Sequence, residues 1–428
     1  MNPPINLTSV TSRPLHAVLL PPGTDGGRFL EALAAALDGS GPAILPLDSS
    51  LPRARLDELI AAFAPAKVET AQDFQRPAGT GRRRQASAGR GAPEGRASPG
   101  VADEVAVVLA TSGSTGIPKG AELTATALTA SARASLDRLG AAQGERWLCC
   151  VPAHHISGLG IFVRSLLAGS TPVVRDRVET GMLASDAGQE GGRCSYVSLV
   201  PTQLRRLLDA GVPLAGFRRI LLGGAAIPHG MLAEAAAAGA RVVTTYGMTE
   251  TSGGCVYDGV PLDDVQVASG ADGRIRIRGP VLFSRYRLAP EVTSAALDGG
   301  WFVTSDLGGF DGDGRLTVRG RADDVINSGG EKVVASEVEQ ILRGCPSVRD
   351  AVVVGTPDND WGERVTAMII AADPTRPPSL DELRTYVADR LPRYAAPRAV
   401  VVLAELPMLA SGKPDRQLIR DIASKDAD

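Results

Sequence analysis

The chain has 428 residues, 44% hydrophobic and 22% charged, with a formal net charge of -3 at pH 7. This length points to two or three domains, and the near-neutral balance gives no general attraction to nucleic acid or to an anionic membrane. No apolar run reaches the roughly 18 residues of a membrane span, and residues 1–14 show no basic stretch followed by an apolar one, so neither membrane insertion nor a secretory leader is expected. Cys149, Cys150, Cys194, Cys255 and Cys345 form no CxxC pair, and histidines number four. They read as reduced structural thiols of a cytoplasmic protein without a structural zinc site.

In chain order, residues 16–72 alternate short apolar runs (Ala17–Leu20) with helical stretches (Phe29–Leu37, Leu56–Phe63). Residues 75–100 are rich in Arg, Gly, Ala, Ser and Pro and poor in large apolar residues, which reads as a mobile loop. Arg82, Arg83 and Arg84 within it lack interleaved aromatics, so a solvated loop is favoured over a nucleic-acid contact. Val105–Ala110 is a continuous apolar run, as expected of a strand buried on both faces. A helix follows over Thr124–Leu139. Strand-like runs recur at Trp147–Val151, Tyr196–Val200, Arg219–Leu222 and Arg241–Thr245 with helical stretches between, the pattern of a parallel α/β sheet.

Near Val265 the texture changes. Residues 265–320 carry short alternating strands and Gly-rich turns such as Asp311–Gly314, an antiparallel β portion. From Arg321 a helix (Ala335–Leu342), two strands (Ala351–Val354, Arg364–Ala371) and another helix (Leu380–Leu391) suggest a small α+β domain. The fold class is therefore α/β, with a large domain over 1–320 and a small one over 321–428, the boundary lying at Gly320–Asp324.

Five segments carry chemistry. Thr111, Ser112, Gly113, Ser114, Thr115, Gly116 and Lys119 form a small, hydroxyl-rich loop directly after the Val105–Ala110 strand. Crowded backbone N–H groups, hydroxyls and a cation suit a phosphate. It is not a Walker A loop, because Gly120 follows Lys119 and the glycine spacing fails. Tyr246-Gly-Met-Thr249-Glu250 follows a strand end, where parallel sheets bind ligands: Tyr246 offers a face for a purine, Thr249 a donor, Glu250 a Mg²⁺ ligand. Asp306 could accept both hydroxyls of a ribose. Arg321 and Asp323 stand at the domain boundary, ahead of Ser328-Gly-Gly-Glu-Lys332. Lys413 lies in Ser411-Gly-Lys-Pro-Asp-Arg416. Taken singly, each of the last four also reads as an ordinary turn or loop.

Together and in this order, the five segments resemble the adenylate-forming superfamily of acyl-CoA synthetases, firefly luciferase and peptide-synthetase adenylation domains, over about Val105 to Lys413. The resemblance implies ATP, Mg²⁺ and coenzyme A as cofactors and a small-molecule acid as partner, and it leaves a homodimer open. Thr111–Gly120 would close over the β- and γ-phosphates. Gly223, Gly224 and Ala225 would pack on the adenine, Tyr246 and Gly247 would lie against it, and Thr249 would touch the α-phosphate. Glu250 would hold Mg²⁺, and Asp306 would bind the ribose with Arg321 nearby. Asp323 would be the hinge of a mobile small domain, Lys413 would reach the carboxylate and α-phosphate, and Gly330 and Lys332 would face the site for thioester formation.

For the acid, Val151-Pro-Ala-His-His155-Ile-Ser157-Gly158-Leu159 resembles the matching stretch of the o-succinylbenzoate–CoA ligases of menaquinone synthesis, with His155 at that family's histidine and His154 where an aromatic residue is usual. His155 thus joins Lys413, Glu250 and Thr249 as a catalytic candidate, with a core histidine of satisfied hydrogen bonds as the alternative. The compact Thr251–Leu262 stretch and the short N-terminal region agree with the same ligases. Ser157 and Ser252 are candidates for a second substrate carboxylate. The alternatives are a ligase for another aryl or short acyl acid, or a stand-alone adenylation domain loading a carrier protein. A non-catalytic nucleotide binder would be expected to have lost Lys413 or Glu250.

Overall fold

The computed structural model describes residues 12–21, 26–70, 99–112, 118–176, 180–188, 193–228, 230–408 and 414–425. The fold is α/β as expected, and the strands of the first half form two sheets. One has six strands in the order Arg285–Tyr286, Pro118–Thr124, Val105–Ser112, Ala43–Asp48, Leu15–Leu20, Lys67–Glu69. Its inner pairs are parallel, and antiparallel pairs close the Pro118–Thr124 side. The apolar run Val105–Leu109 is fully buried, because core side chains cover the strand on both faces.

The second sheet has seven strands: Val260–Pro261, Gly253–Tyr257, Val242–Met248, Arg219–Gly223, Tyr196–Leu199, Trp147–Cys149, Val173–Val174. Its pairs are parallel from Val242–Met248 onward to Val173–Val174. The helices Ala125–Leu139 and Ile156–Leu167 share one core with both sheets, through residues such as Leu128, Ala132, Leu159, Phe162, Val107 and Tyr196. Ala125–Leu139 starts where Thr124 Oγ1 accepts the Ala127 N–H at 3.0 Å and ends at left-handed Gly140.

An antiparallel sheet follows: Gln266–Ser269, Arg274–Arg278, Trp301–Phe310, Leu297–Asp298, with Leu316–Arg321 paired to Trp301–Phe310. The last sheet joins Glu331–Val334, Val325–Ser328, Gly362–Ala371, Val348–Asp358 and Ala399–Val402. In it Ala351 and Val353 face a core with helices Ala335–Arg343 and Leu380–Ala388, while Val352 and Val354 face one with helix Arg416–Lys425. The period of two in a strand buried on both sides dictates that split.

Residues 75–98 of the Arg-rich segment lie outside the described residues. Its end, Pro99–Gly100, is fastened: Arg287 donates to the Pro99 carbonyl at 2.6 Å and the Phe63 carbonyl at 2.6 Å, and pairs with Glu122 at 3.4 Å. Arg287 and Glu122 are buried, and Arg285 reaches the same carboxylate at 2.7 Å.

Candidate active site

The Val105–Ser112 strand carries Thr111 and Ser112, and the Pro118–Thr124 strand returns antiparallel beside it, with Thr111 opposite Lys119. The phosphate-type segment therefore joins two paired strands instead of opening a helix. Gly113, Ser114, Thr115 and Gly116 lie outside the described residues. The Thr111 hydroxyl donates to the Lys119 carbonyl at 3.3 Å, and Lys119 Nζ stands 5.5 Å above the Tyr286 ring.

The strand Val242–Met248 ends in a single helical turn, Thr249–Thr251, left by Ser252 at φ 54°. The turn is tight because Thr251 Oγ1 accepts the Met248 N–H at 2.9 Å and donates to the Gly253 carbonyl at 2.7 Å. A side chain at Gly247 would run into the Gly253 carbonyl, so glycine is required there. Likewise a Cβ at Gly223 would meet Thr245, which lets the Gly223–Ala225 segment lie close beside the neighbouring strand.

Two phenols organise the carboxylates. Tyr246 Oη donates to Asp306 Oδ2 at 2.8 Å, and Tyr286 Oη donates to Glu250 Oε1 at 2.7 Å. Burial first, and the adjacent carboxylate second, push both phenols well above their ordinary pKa, so both act as donors. Arg321 then links Asp306 (3.4 Å) to Asp323 (3.1 Å). Thus Tyr246, Asp306, Arg321 and Asp323 form one chain of polar contacts, and Lys119, Tyr286 and Glu250 a second. The two meet at the Tyr246–Glu250 segment.

His155, the candidate for the acyl side, is the N-cap of helix Ile156–Leu167, and its ring lies 4.4 Å from that of half-buried His154. Burial lowers the His154 pKa, against the pull of Asp48. Gly158 packs on the Pro152 carbonyl so tightly that no Cβ fits. Ser157 is exposed, whereas Ser252 is buried, accepts Ser131 Oγ on its carbonyl at 3.0 Å and leaves its own hydroxyl without a hydrogen-bond partner among the described residues.

Sequence profiles match the chain as "AMP-binding enzyme" over residues 30–280 and "AMP-binding enzyme C-terminal domain" over 337–413. The chain belongs to the AMP-binding enzyme family. Within it, the chain is 47% identical over 332 residues to a Mycobacterium tuberculosis (strain ATCC 25618 / H37Rv) protein named "Probable 2-succinylbenzoate--CoA ligase", across 76% of this chain and 86% of that one. It is similar to the solved o-succinylbenzoate CoA synthetase of Bacillus subtilis in complex with the acyl-adenylate intermediate OSB-AMP, with TM-score 0.74 and 27% identity over 96% of this chain and 89% of that one. It is also similar to an amide bond synthetase from Marinactinospora thermotolerans, with TM-score 0.81 and 26% identity over 97% of this chain and 91% of that one. The resemblance to adenylate-forming enzymes drawn from the five segments is borne out.

In this AMP-binding enzyme, Lys413 lies outside the described residues. Pro414 forms a bridge with Met408, and Arg416 ties Asp324 (3.3 Å), the buried Glu339 (2.6 Å) and the Val353 carbonyl (3.1 Å) together. Gly330 and Lys332 are exposed near the tip of the hairpin Val325–Val334, where Gly329 lies so close to the Trp361 ring that no Cβ fits, and Arg398 stacks on that ring at 3.5 Å. All five cysteines are free and buried, and burial pushes the thiols of Cys149 to about 11 and of Cys150 and Cys255 to about 12. These three stay protonated at neutral pH and make poor acyl acceptors. No helix among the described residues is long and apolar enough to cross a membrane.

Sequence reading missed two residues. Tyr286, which binds Glu250, carries no motif. Arg164 is buried in helix Ile156–Leu167, 4.3 Å over the Trp147 ring, its Nε without a hydrogen-bond partner and with no carboxylate paired to it among the described residues. A signal for it exists: a single charge inside the apolar run Ile156-Ser-Gly-Leu-Gly-Ile-Phe-Val-Arg164-Ser-Leu-Leu167.

Proposed function

We propose that the protein converts o-succinylbenzoate, ATP and coenzyme A to o-succinylbenzoyl-CoA, AMP and diphosphate, the acid–thiol ligation for which its relatives are named. A carboxylate oxygen of the acid attacks the α-phosphorus of ATP, and diphosphate leaves. Two anions must meet, so cations placed in advance lower the barrier. In this reading Lys413 sits at the carboxylate and α-phosphate, and Thr111–Lys119 grips the outer phosphates. Tyr246 and Gly223–Ala225 flank the adenine, Thr249 donates to the α-phosphate, and Asp306 accepts the ribose hydroxyls beside Arg321.

Glu250 fits a magnesium ion. Its Oε2 accepts no hydrogen bond among the described residues, and one carboxylate beside a phosphate-binding segment suits a cation that shares its ligands with substrate and water. When bound, such an ion offsets charge on the phosphate oxygens. In the second half-reaction the CoA sulfur attacks the acyl carbon, the thiol gives up its proton and AMP leaves. Lys413 must then vacate the site. Rotation of residues 321–428 about Asp323 provides this and brings Gly330 and Lys332 inward.

The observation that supports a diacid is Ser252, which is buried directly after the Thr249–Thr251 turn and leaves its hydroxyl without a hydrogen-bond partner among the described residues. A buried donor left unpaired costs about 1–3 kcal/mol. The second carboxylate of o-succinylbenzoate would accept from it, a better match than the exposed Ser157. ATP–pyrophosphate exchange across a panel of acids tests this. We expect o-succinylbenzoate to exceed benzoate, coumarate and hexanoate by orders of magnitude in kcat/KM, because mono-acids leave buried donors unpaired. Ser252→Ala should narrow that preference. A mono-acid that matches o-succinylbenzoate sinks the substrate, and transfer only to a carrier-protein thiol sinks CoA as acceptor.

A further inference from the structure

We infer that Tyr286 is a positioning residue that sets the metal-binding carboxylate of Glu250 and ties it to the phosphate-binding hairpin. The inference rests on the reading of Glu250 as the magnesium ligand. Tyr286 is buried, and its hydroxyl donates to Glu250 Oε1 at 2.7 Å. The same segment also holds the Glu250 backbone, since the Phe283 N–H donates to the Glu250 carbonyl at 2.8 Å. Glu250 is therefore gripped at both ends by residues 283–286, and the oxygen left over, Oε2, faces no competing donor among the described residues.

Tyr286 is itself fixed. Its N–H donates to Thr293 Oγ1 at 2.9 Å, its ring packs 4.7 Å from that of Phe283, and it pairs in register with Ala121 on the strand that carries Lys119. Lys119 stands over its ring at 5.5 Å. One side chain thereby sets the spacing between the cation of the hairpin and the carboxylate of the Thr249–Thr251 turn, two groups that must grip neighbouring oxygens of one triphosphate. A ligating carboxylate gains affinity when a second residue fixes its rotamer, and loss of such a partner commonly weakens metal binding by about 10–100-fold.

The test is Mn²⁺ binding in the presence of a non-hydrolysable ATP analogue, read by electron paramagnetic resonance, for wild type, Tyr286→Phe and Glu250→Gln. Phenylalanine keeps the ring against Phe283 and under Lys119, and the unfolding temperature of each variant checks that the fold survives. We expect Glu250→Gln to lose the site and Tyr286→Phe to raise the Mn²⁺ dissociation constant about tenfold. In exchange assays Tyr286→Phe should then need more Mg²⁺ for half-maximal rate while approaching the wild-type rate at saturation. Wild-type Mn²⁺ affinity in a folded Tyr286→Phe, with the site lost in Glu250→Gln, overturns the inference and leaves the reading intact. Wild-type affinity in Glu250→Gln overturns the reading, and the inference with it. Should Tyr286→Phe not fold, Thr293→Val, which frees the Tyr286 backbone and leaves its hydroxyl, must weaken Mn²⁺ binding in the same direction, and an unchanged constant there overturns the inference.

Discussion

Arg287 and Arg321 both bind carboxylates, and they do opposite things. Arg287 and Glu122 are 1% and 2% exposed, and the guanidinium also donates to carbonyls of Phe63 and Pro99. Arg321 is 50% exposed, and its partners Asp306 and Asp323 belong to a strand and to the adjoining turn. A buried pair cannot be opened without stranding a charge, whereas an exposed pair opens into water at little cost. The first locks segments far apart in sequence into one body. The second holds the turn proposed as the hinge, between Asp306 on one side and Asp324, bound by Arg416, on the other.

Breaking the lock should have the largest effect on the fold. Arg287→Leu takes the buried cation from Glu122, leaving Arg285 alone on that carboxylate, and strips the donor from the Phe63 and Pro99 carbonyls, so about 3 kcal/mol of unfolding free energy should be lost in urea titration. A loss under about 1 kcal/mol would mean that Arg287 belongs with the exposed pairs. At the turn the effect falls on rate. Asp323→Pro fixes φ, so we expect CoA transfer from supplied acyl-adenylate to drop on the order of a hundredfold while adenylation survives. Lys413→Ala should show the mirror image, and equal losses in both half-reactions would remove the hinge from this turn. The smallest effect is on Arg321→Ala, whose stability should change by less than about 1 kcal/mol. A larger loss would show that the contact is structural and the contrast with Arg287 false.

Much of the fold was legible because apolar runs, caps and turns are local signals. The buried strand at Val105–Ala110 and the helix expected over Thr124–Leu139, observed as Ala125–Leu139, were legible for that reason. Which strands share a sheet, and in what order, was not legible, since that depends on pairings such as Ile44 with Val107 that no local pattern encodes. The nucleotide side of the site was visible because its residues come in short motifs. Tyr286 was invisible: its meaning comes from Glu250, and pairing across the Pro118–Thr124 strand is what brings the two together. Arg164 fell between these cases. Its apolar helical context marks it as a buried charge, but only the structure reveals that no described carboxylate answers it.

The packing around Trp361 has an optical consequence. The chain has three tryptophans; Trp147 is fully buried, while Trp361 is 39% exposed, sandwiched by Arg398 and the Gly329 turn on the very hairpin that carries Gly330 and Lys332. An indole at a half-wet surface changes its emission when its surroundings change. If that hairpin swings toward bound acyl-adenylate, its native fluorescence will shift in wavelength during turnover, and a Trp361→Phe variant will go dark to that step. The protein thus carries its own chromophore beside the hairpin that holds Gly330 and Lys332, and stopped-flow fluorescence can time the interval between its two reactions without a label.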